Sequence, residues 1–230
     1  MIPVTLFLSY TLGVKPVVAI FAHPDDEAFG PAGSLAKFAQ ERDVYLICIT
    51  NGDAGQNALK EGELGSIRAE ELKKSAGILG IKEVYFLGYK DGTLSNNVYH
   101  EVVEKIEPIL KKYQPDTLLT FNLLGISGHL DHIFASLIST YLFYKLDFIA
   151  DLLYYGEVEE LVKIMRSDYF IYMPPGFQKG EANMEVDITK YWEAKLKAYA
   201  AHQSQQKDAQ WLIEILQKFP KKEYFKKVTK

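Results

Sequence analysis

The chain has 230 residues, 48% of them hydrophobic and 24% charged, a composition typical of one globular domain with a substantial core. Its net charge of −4 and pI of about 5.8 exclude the strongly basic balance of nucleic-acid-binding proteins, so we expect no nucleic-acid partner. The single cysteine, Cys48, excludes an internal disulfide and fits a reducing compartment, which favours a cytoplasmic location.

The first fourteen residues are uncharged and largely apolar. A membrane-spanning helix needs about 20 such residues, and a secretory signal needs a basic region that this segment lacks. We therefore expect residues 1–15 to be an N-terminal extension of a single domain at 1–230, with no stable membrane anchor. The sequence leaves the oligomeric state open, including a homo-oligomer.

Apolar runs alternate with segments of helical periodicity over the first two thirds of the chain. The predicted elements, in chain order, are a strand at 17–22, a helix at 26–41, a strand at 44–50, a loop at 51–62, a helix at 64–79, a strand at 84–87, a turn at Asp91-Gly92, a helix at 98–113, a strand at 117–121 and a helix at 131–144. Pro108 is predicted to kink or split its helix.

The pattern is less regular after residue 147. It predicts a strand at 170–173 and helices at 188–201 and 209–218, and the lysine-rich C-terminus is interpreted as a solvated end. Residues 147–180 are a candidate substrate-specificity insert, because loops at strand ends set substrate choice. Strands separated by helices predict an α/β fold with a Rossmann-like, mostly parallel sheet and helices on both faces. Ligands of such sheets bind at the carboxyl ends of the strands.

A first polar cluster, His23-Pro24-Asp25-Asp26-Glu27, follows the first predicted strand directly. His23 and Asp26 are three residues apart, so one turn can direct both side chains at the same ion. Asp25 then points elsewhere and stays free.

A second cluster, His129-Leu130-Asp131-His132, lies beyond the fourth predicted strand and repeats the three-residue spacing. Nitrogen and carboxylate ligands suit zinc, and a catalytic zinc site has three protein ligands and an open position for water. His23, Asp26 and His132 would be the ligands, although Fe²⁺ would suit the same donors. Asp25 would act as general base on the zinc-bound water, and His129 would stabilise the oxyanion or protonate the leaving amine.

Each cluster also has a purely structural interpretation. Asp25 and Asp26 could cap a helix, and His129 could be a surface residue before a helix capped by Asp131. The occurrence of both clusters directly after strands favours the metal site.

The two clusters resemble the signatures of the PIG-L/LmbE-like family of zinc-dependent de-N-acetylases. Residues 22–27 (AHPDDE) are similar to the family's first motif, and residues 125–132 (GISGHLDH) to its second. Weaker similarities occur at 51–52, 64–71, 91–92, 120–122 and 202–205, so the resemblance spans 17–205 apart from 147–180. Leu130 replaces the proline that the second motif often carries.

The resemblance implies the same roles that the residues suggest. His23, Asp26 and His132 would hold zinc, Asp25 would be the general base, and His129 would assist the oxyanion or the leaving group. It also implies a small amino-sugar substrate, N-acetylglucosamine linked to inositol, malate or another sugar.

Four further side chains are candidate substrate contacts: Arg68, Asp91, Asn51 and Asn122. The guanidinium of arginine can donate two hydrogen bonds at once to hydroxyls or carboxylates, and a carboxylate can accept hydrogen bonds from two hydroxyls. The structural alternatives are a surface ion pair of Arg68 with Glu70 or Glu71, and a turn-forming role for Asp91 before Gly92.

The sequence therefore predicts a zinc-dependent hydrolase that removes the acetyl group of an N-acetylglucosamine-type sugar. Two alternatives remain: a metal-dependent amidase of another N-acyl or thiol conjugate, and an inactive sugar-binding module that kept the pocket.

Overall fold

A computed structural model describes residues 14–54, 63–166 and 172–230, and only the backbone of residues 206–209. The described residues form one seven-stranded sheet with helices on both faces. The strands are β1 (Val17–Phe21), β2 (Val44–Thr50), β3 (Glu83–Tyr89), β4 (Thr117–Phe121), β5 (Asp151–Gly156), β6 (Met184–Asp187) and β7 (Lys222–Thr229). The helices are α1 (Asp26–Phe29), α2 (Ala32–Glu41), α3 (Glu63–Leu79), α4 (Tyr99–Tyr113), α5 (Gly125–Gly128), α6 (Leu130–Lys145), α7 (Glu159–Met165), α8 (Trp192–Ala201) and α9 (Gln206–Leu216), with 3-10 turns at Thr189–Tyr191 and Gln203–Gln205.

The central strand β1 is buried along its whole length because both faces of the sheet are covered. Val17, Ala19 and Phe21 belong to one core, which packs under α2, α3 and α8. Val18 and Ile20 belong to the core on the other face, under α4 and α6. Continuous apolar sequence rather than alternation is what a strand buried on both faces requires.

The strand order is β3-β2-β1-β4-β5-β7-β6, with β1 to β5 parallel and β7 antiparallel to both of its neighbours. From β1 the chain moves outward to β2 and β3, and it returns to the other side of β1 with β4. The switch point between β1 and β4 opens a crevice at their carboxyl ends. This topology confirms the predicted fold class and brings the segments after β1 and β4 together.

Two predicted helices differ from the observed ones at prolines. The helix predicted at 26–41 is two helices, because Pro31 cannot continue α1 and a new helix starts after it. Of the predicted kink or split at Pro108, the split does not occur, since α4 continues through that residue. Pro108 lies on the exposed side, where water can satisfy the carbonyl left without a donor.

The C-terminal third contains strands that the sequence analysis missed. The lysine-rich end is not a solvated tail but β7, which lies between β5 and β6 in the sheet. The predicted insert at 147–180 begins with the internal strand β5. Of the strand predicted at 170–173, residues 170 and 171 lie outside the described residues, and Tyr172 and Met173 lie in no strand. No helix among the described residues has the length and apolar character to cross a bilayer.

Candidate active site

The loop after β1 presents one oxygen of Asp26 to the crevice. Its Oδ2 accepts hydrogen bonds from the backbone N–H groups of Ala22 (3.0 Å) and His23 (2.8 Å). Its Oδ1 lies 3.2 Å from His132 Nε2. The backbone therefore fixes the carboxylate while leaving one oxygen free to act as a ligand.

The segment after β4 brings His132 to the same point. His132 Nδ1 lies 3.0 Å from the Gly125 carbonyl and 3.1 Å from Ser127 Oγ. Its Nε2 lies 3.0 Å from His23 Nδ1. The loop is tightly wound, with Ile126 at a φ of 54°, and Asn122 holds it by accepting from the N–H groups of Leu124 and Ile126.

The side chains of His23, Asp26 and His132 lie close enough together to hold a metal ion. His23 Nδ1 and His132 Nε2 are 3.0 Å apart, and His132 Nε2 lies 3.2 Å from Asp26 Oδ1. His23 Nδ1 lies 3.8 Å from Asp26 Oδ2, the oxygen that the backbone N–H groups hold. Ligands of a tetrahedral zinc ion lie about 3.3 Å apart when each bond is about 2.0–2.1 Å long. The donor atoms of His23, His129 and His132 lie within 4.8 Å of one another, and so do those of His23, Asp91 and Asp131.

The far nitrogen of His23 faces two carboxylates. His23 Nε2 lies 3.0 Å from Asp91 Oδ1 and 3.3 Å from Asp131 Oδ2. Carboxylates in this position orient a ligating histidine and fix its tautomer. Asp131, which is buried and also accepts from the N–H groups of Gly92 and Leu94, is more than the helix cap considered from sequence. Its place between two histidines of the second motif is the only sequence signal for this role.

The carboxylates and histidines of the cluster stabilise each other's charged forms. Burial opposes ionisation of Asp26, but His132 and His23 hold its pKa well below the usual value. Burial also disfavours a charged His23, and hydrogen bonds to Asp131, Asp26 and Asp91 more than offset this and raise its pKa well above 6.5. An arrangement that attracts a proton in this way also attracts a cation.

Asp25 projects beside this cluster and its carboxylate pairs with Arg68. Arg68 Nη2 donates to Asp25 Oδ2 over 2.8 Å. Burial raises the pKa of Asp25 to about 6, although the positive charge of Arg68 works in the opposite direction. The backbone at Asp25 has a φ of 130°, which L-residues rarely adopt, and such strain is concentrated at functional sites.

His129 lies at the edge of the cluster, with its ring 4.6 Å from that of His23 between centroids. Its Nδ1 accepts from the N–H of Asp131, so in the neutral ring the proton is on Nε2. Burial lowers the pKa of His129, and the neighbouring His23 and His132 lower it further. In its neutral form the ring can therefore donate a hydrogen bond from Nε2.

Two buried glutamates connect this site to the 202–205 segment. Glu27 accepts from His202 Nε2 (2.8 Å) and from the N–H of Asp25 (3.2 Å). Glu71 accepts from the N–H and the hydroxyl of Ser204. Sequence analysis considered Glu71 only as an alternative ion-pair partner of Arg68 and gave Glu27 no separate role, because the contacts with His202 and Ser204 span more than 130 residues.

The four candidate substrate contacts lie at the same edge of the sheet but in different environments. Arg68 is only 4% exposed, and Asp91 is buried against His23. Asn51 and Asn122 are half-buried, and Asn122 Oδ1 is already used by the loop after β4. Arg68 donates its hydrogen bonds to Asp25, Pro24 and Gly52. It therefore does not form the surface ion pair with Glu70 or Glu71 that was the alternative from sequence.

The sequence of the chain matches the model of one protein family. The sequence model of the PIG-L family, described as GlcNAc-PI de-N-acetylase, matches residues 18–142. This range contains both motifs and all of the predicted metal ligands.

Two relatives of known sequence differ in how much of the chain they match. A probable N-acetyl-alpha-D-glucosaminyl L-malate deacetylase 2 of Bacillus anthracis is 35% identical over 51% of this chain and 54% of its own length. The diacetylchitobiose deacetylase of Thermococcus kodakarensis is 31% identical over 86% of this chain and 73% of its own. The chain thus spans about half of the first relative and nearly three quarters of the second.

A solved structure agrees with the second relative. The N,N'-diacetylchitobiose deacetylase from Pyrococcus horikoshii, in complex with its inhibitor MPG, superposes with a TM-score of 0.70 at 27% identity. The superposition covers 94% of this chain and 84% of that protein.

Proposed function

Because the chain belongs to the PIG-L family of GlcNAc-PI de-N-acetylases, and so is a deacetylase that hydrolyses amide bonds, we propose that it acts on an N-acetylglucosamine-type sugar. The observation that carries this proposal is the convergence of His23, Asp26 and His132 beside the carboxylate of Asp25. The reaction adds water across the acetamide, breaks the C–N bond and gives acetate and the free amine.

His23, Asp26 and His132 would hold the metal, which we propose is zinc, with Fe²⁺ as the other candidate. Bound there, zinc would polarise the acetyl carbonyl and lower the pKa of a coordinated water. Asp26 is fixed by backbone N–H groups, and His132 by the Gly125 carbonyl.

Asp25 is the proposed general base. Its carboxylate takes a proton from the attacking water, for which a pKa of about 6 leaves it ionised yet basic near neutral pH. Its position next to Asp26 in the chain supports a place for Asp25 beside the metal, as a neighbour and not a ligand.

His129 is the proposed donor on the opposite side of the reaction. Its Nε2–H can donate to the oxygen that becomes negative when water attacks the carbonyl. The same group can deliver a proton to the leaving nitrogen as the C–N bond breaks.

Asp91, Asn51, Asn122 and Arg68 remain proposed contacts or supports for the sugar, since all four lie near the carboxyl ends of the strands. Arg68 is the most deeply buried of the four. N,N'-diacetylchitobiose is the first substrate to test, because the relatives with that activity match most of the chain.

The test is acetate release from a panel containing N-acetylglucosamine, N,N'-diacetylchitobiose, and the inositol and malate conjugates of N-acetylglucosamine. We expect at least one of these sugars to release acetate and free amine in equal amounts. Turnover only of thiol-conjugate or other N-acyl amides would favour the broader amidase. Saturable sugar binding without turnover would favour the binding module.

A further inference from the structure

His202 follows α8 directly and contacts the turn that carries the proposed general base. Its Nε2 lies 2.8 Å from Glu27 Oε1. Because a carboxylate accepts hydrogen bonds, Nε2 carries the proton of this bond. His202 is 0% exposed and Glu27 is 1% exposed. The pair therefore joins the C-terminal third of the chain to α1 in a place that water does not reach.

Glu27 is held by donors from three separate segments. Its Oε1 accepts from His202 Nε2 and from the hydroxyl of Ser75 in α3, and its Oε2 accepts from the N–H of Asp25 over 3.2 Å. A carboxylate this deeply buried is stable only while hydrogen bonds replace its water. The orientation of Glu27 therefore depends on His202 and Ser75, and Glu27 in turn fixes the N–H of Asp25.

The backbone of Asp25 needs such support. Its φ of 130° is unfavourable for an L-residue and persists only when surrounding contacts hold it. On one side of the N–Cα bond, the N–H donates to Glu27. On the other side, the carbonyl accepts from the N–H groups of Ala28 (2.9 Å) and Phe29 (2.8 Å), which belong to α1. Glu27 is thus the contact through which a distant segment reaches the backbone of Asp25.

The end of α8 is itself anchored on α1. The ring of Tyr199 stacks on that of Phe29 with centroids 4.8 Å apart, and its hydroxyl donates to the Phe29 carbonyl over 3.2 Å. The ring of His202 meets Phe29 edge-on at 6.1 Å. These contacts fix the place of His202 Nε2 relative to Glu27.

We infer that His202 is a positioning residue, which acts through Glu27 to hold the Asp25 backbone in the conformation that keeps its carboxylate beside the metal ligands. This inference rests on the proposed function, in which that carboxylate takes a proton from the attacking water. It gives the C-terminal segment a part in the reaction, although this segment lies beyond residues 18–142, which match the family model.

Two replacements separate positioning from packing. His202→Gln keeps an N–H donor at the reach of Nε2, whereas His202→Leu fills the space without a donor. His202→Leu should lower kcat by about 10- to 100-fold at unchanged KM, toward the loss caused by misplacing a catalytic group by about 1 Å. His202→Gln should recover most of this kcat. Equal kcat in the two variants, or an increase in KM at unchanged kcat, would overturn the inference.

Bound zinc provides a readout that separates Asp25 from the metal ligands. It should stay at one ion per chain in both variants, since Asp26 is held by the N–H groups of Ala22 and His23 and not by Glu27. Loss of zinc from His202→Leu would mean that His202 supports the metal ligands, and would overturn the inference.

Ser204→Ala is the matched control. Ser204 Oγ also donates from this segment to a buried glutamate, over 2.6 Å, but that residue is Glu71 of α3. Its loss should lower the urea midpoint of unfolding and leave kcat unchanged. If Ser204→Ala lowered kcat as much as His202→Leu, the effect would be general destabilisation and the inference would be wrong.

The coupling of His202 to Glu27 can be measured without turnover. In a double-mutant cycle of His202→Leu and Glu27→Gln, the two changes in the free energy of unfolding should be non-additive. Additive changes would overturn the inference. Wild-type protein that releases no acetate would contradict the proposed function, and non-additivity would even then support the grip of His202 on Glu27. If His202→Leu does not fold, His202→Asn, whose side chain is too short to reach Glu27, takes its place.

Discussion

At the scale of single residues, the strained backbone of Asp25 has a measurable consequence for stability. Glycine tolerates a φ of 130° and alanine does not, and both remove the carboxylate that pairs with Arg68. Asp25→Gly should therefore be more stable than Asp25→Ala by about 1 kcal/mol in urea unfolding, and both should lose turnover.

Asp43 is the control for this comparison, because it lies in a loop without a positive φ. There the order should reverse, with Asp43→Ala at least as stable as Asp43→Gly. An Asp25→Gly variant no more stable than Asp25→Ala would mean that the backbone at Asp25 carries no strain.

The motif residues were predictable because their spacing is local. His23 and Asp26 share one turn, and His129 and His132 another, so sequence alone brings each pair together. The partnership of Arg68 with Asp25 spans 43 residues, and that of Asp131 with His23 spans 108. Such contacts depend on the packing of strands and helices, which single-sequence patterns do not contain.

At the scale of elements, a buried ion pair joins β7 to the rest of the fold. Lys195 Nζ donates to Glu223 Oε1 (2.7 Å) and to the Gly30 carbonyl (2.7 Å), and Glu223 also accepts from the first N–H groups of α2. Both side chains are only 2% exposed. Glu223→Ala would leave the Lys195 charge buried without its partner, and should reduce the free energy of unfolding by about 3–5 kcal/mol.

The neighbouring residue on the same strand provides the control. Lys222 pairs with Glu185 at the surface over 2.7 Å, with both side chains about half exposed. Lys222→Ala should change stability by less than about 1 kcal/mol, since exposed pairs contribute little. Equal effects of the two substitutions in urea unfolding would contradict a structural role for the buried pair.

The buried strands β1, β2 and β4 were predictable from sequence, whereas β5, which is buried as well, was missed. β1, β2 and β4 are apolar runs, but in β7 the buried Glu223 and Phe225 are separated by the half-buried Tyr224 and flanked by the exposed Lys222 and Lys226. The lysines obscure the two-residue alternation of buried and exposed side chains that marks a strand. The buried charge of this strand, Glu223, is neutralised by Lys195 of the distant helix α8. The element therefore could not be identified without its tertiary partner.

At the scale of the whole molecule, the site follows from topology. The chain leaves β1 in one direction and returns beside it through β4, so the loops after these two strands share one crevice. The sequence contained enough information to place both motifs there, because each follows a recognisable buried strand. It did not contain the network beneath them, in which Glu27 and Glu71 bind residues of the 202–205 segment.

In the proposed mechanism, metal bound at His23, Asp26 and His132 is what makes this chain active as a deacetylase. The most direct measurement is acetate release from N,N'-diacetylchitobiose as zinc is added to metal-free protein, with bound zinc measured on the same samples. Activity should increase in proportion to bound zinc up to one ion per chain. His132→Ala should bind little zinc, whereas His129→Ala should bind it fully and turn over about 100- to 1,000-fold more slowly. Full activity of metal-free protein, or loss of zinc from His129→Ala but not from His132→Ala, would contradict the assignment.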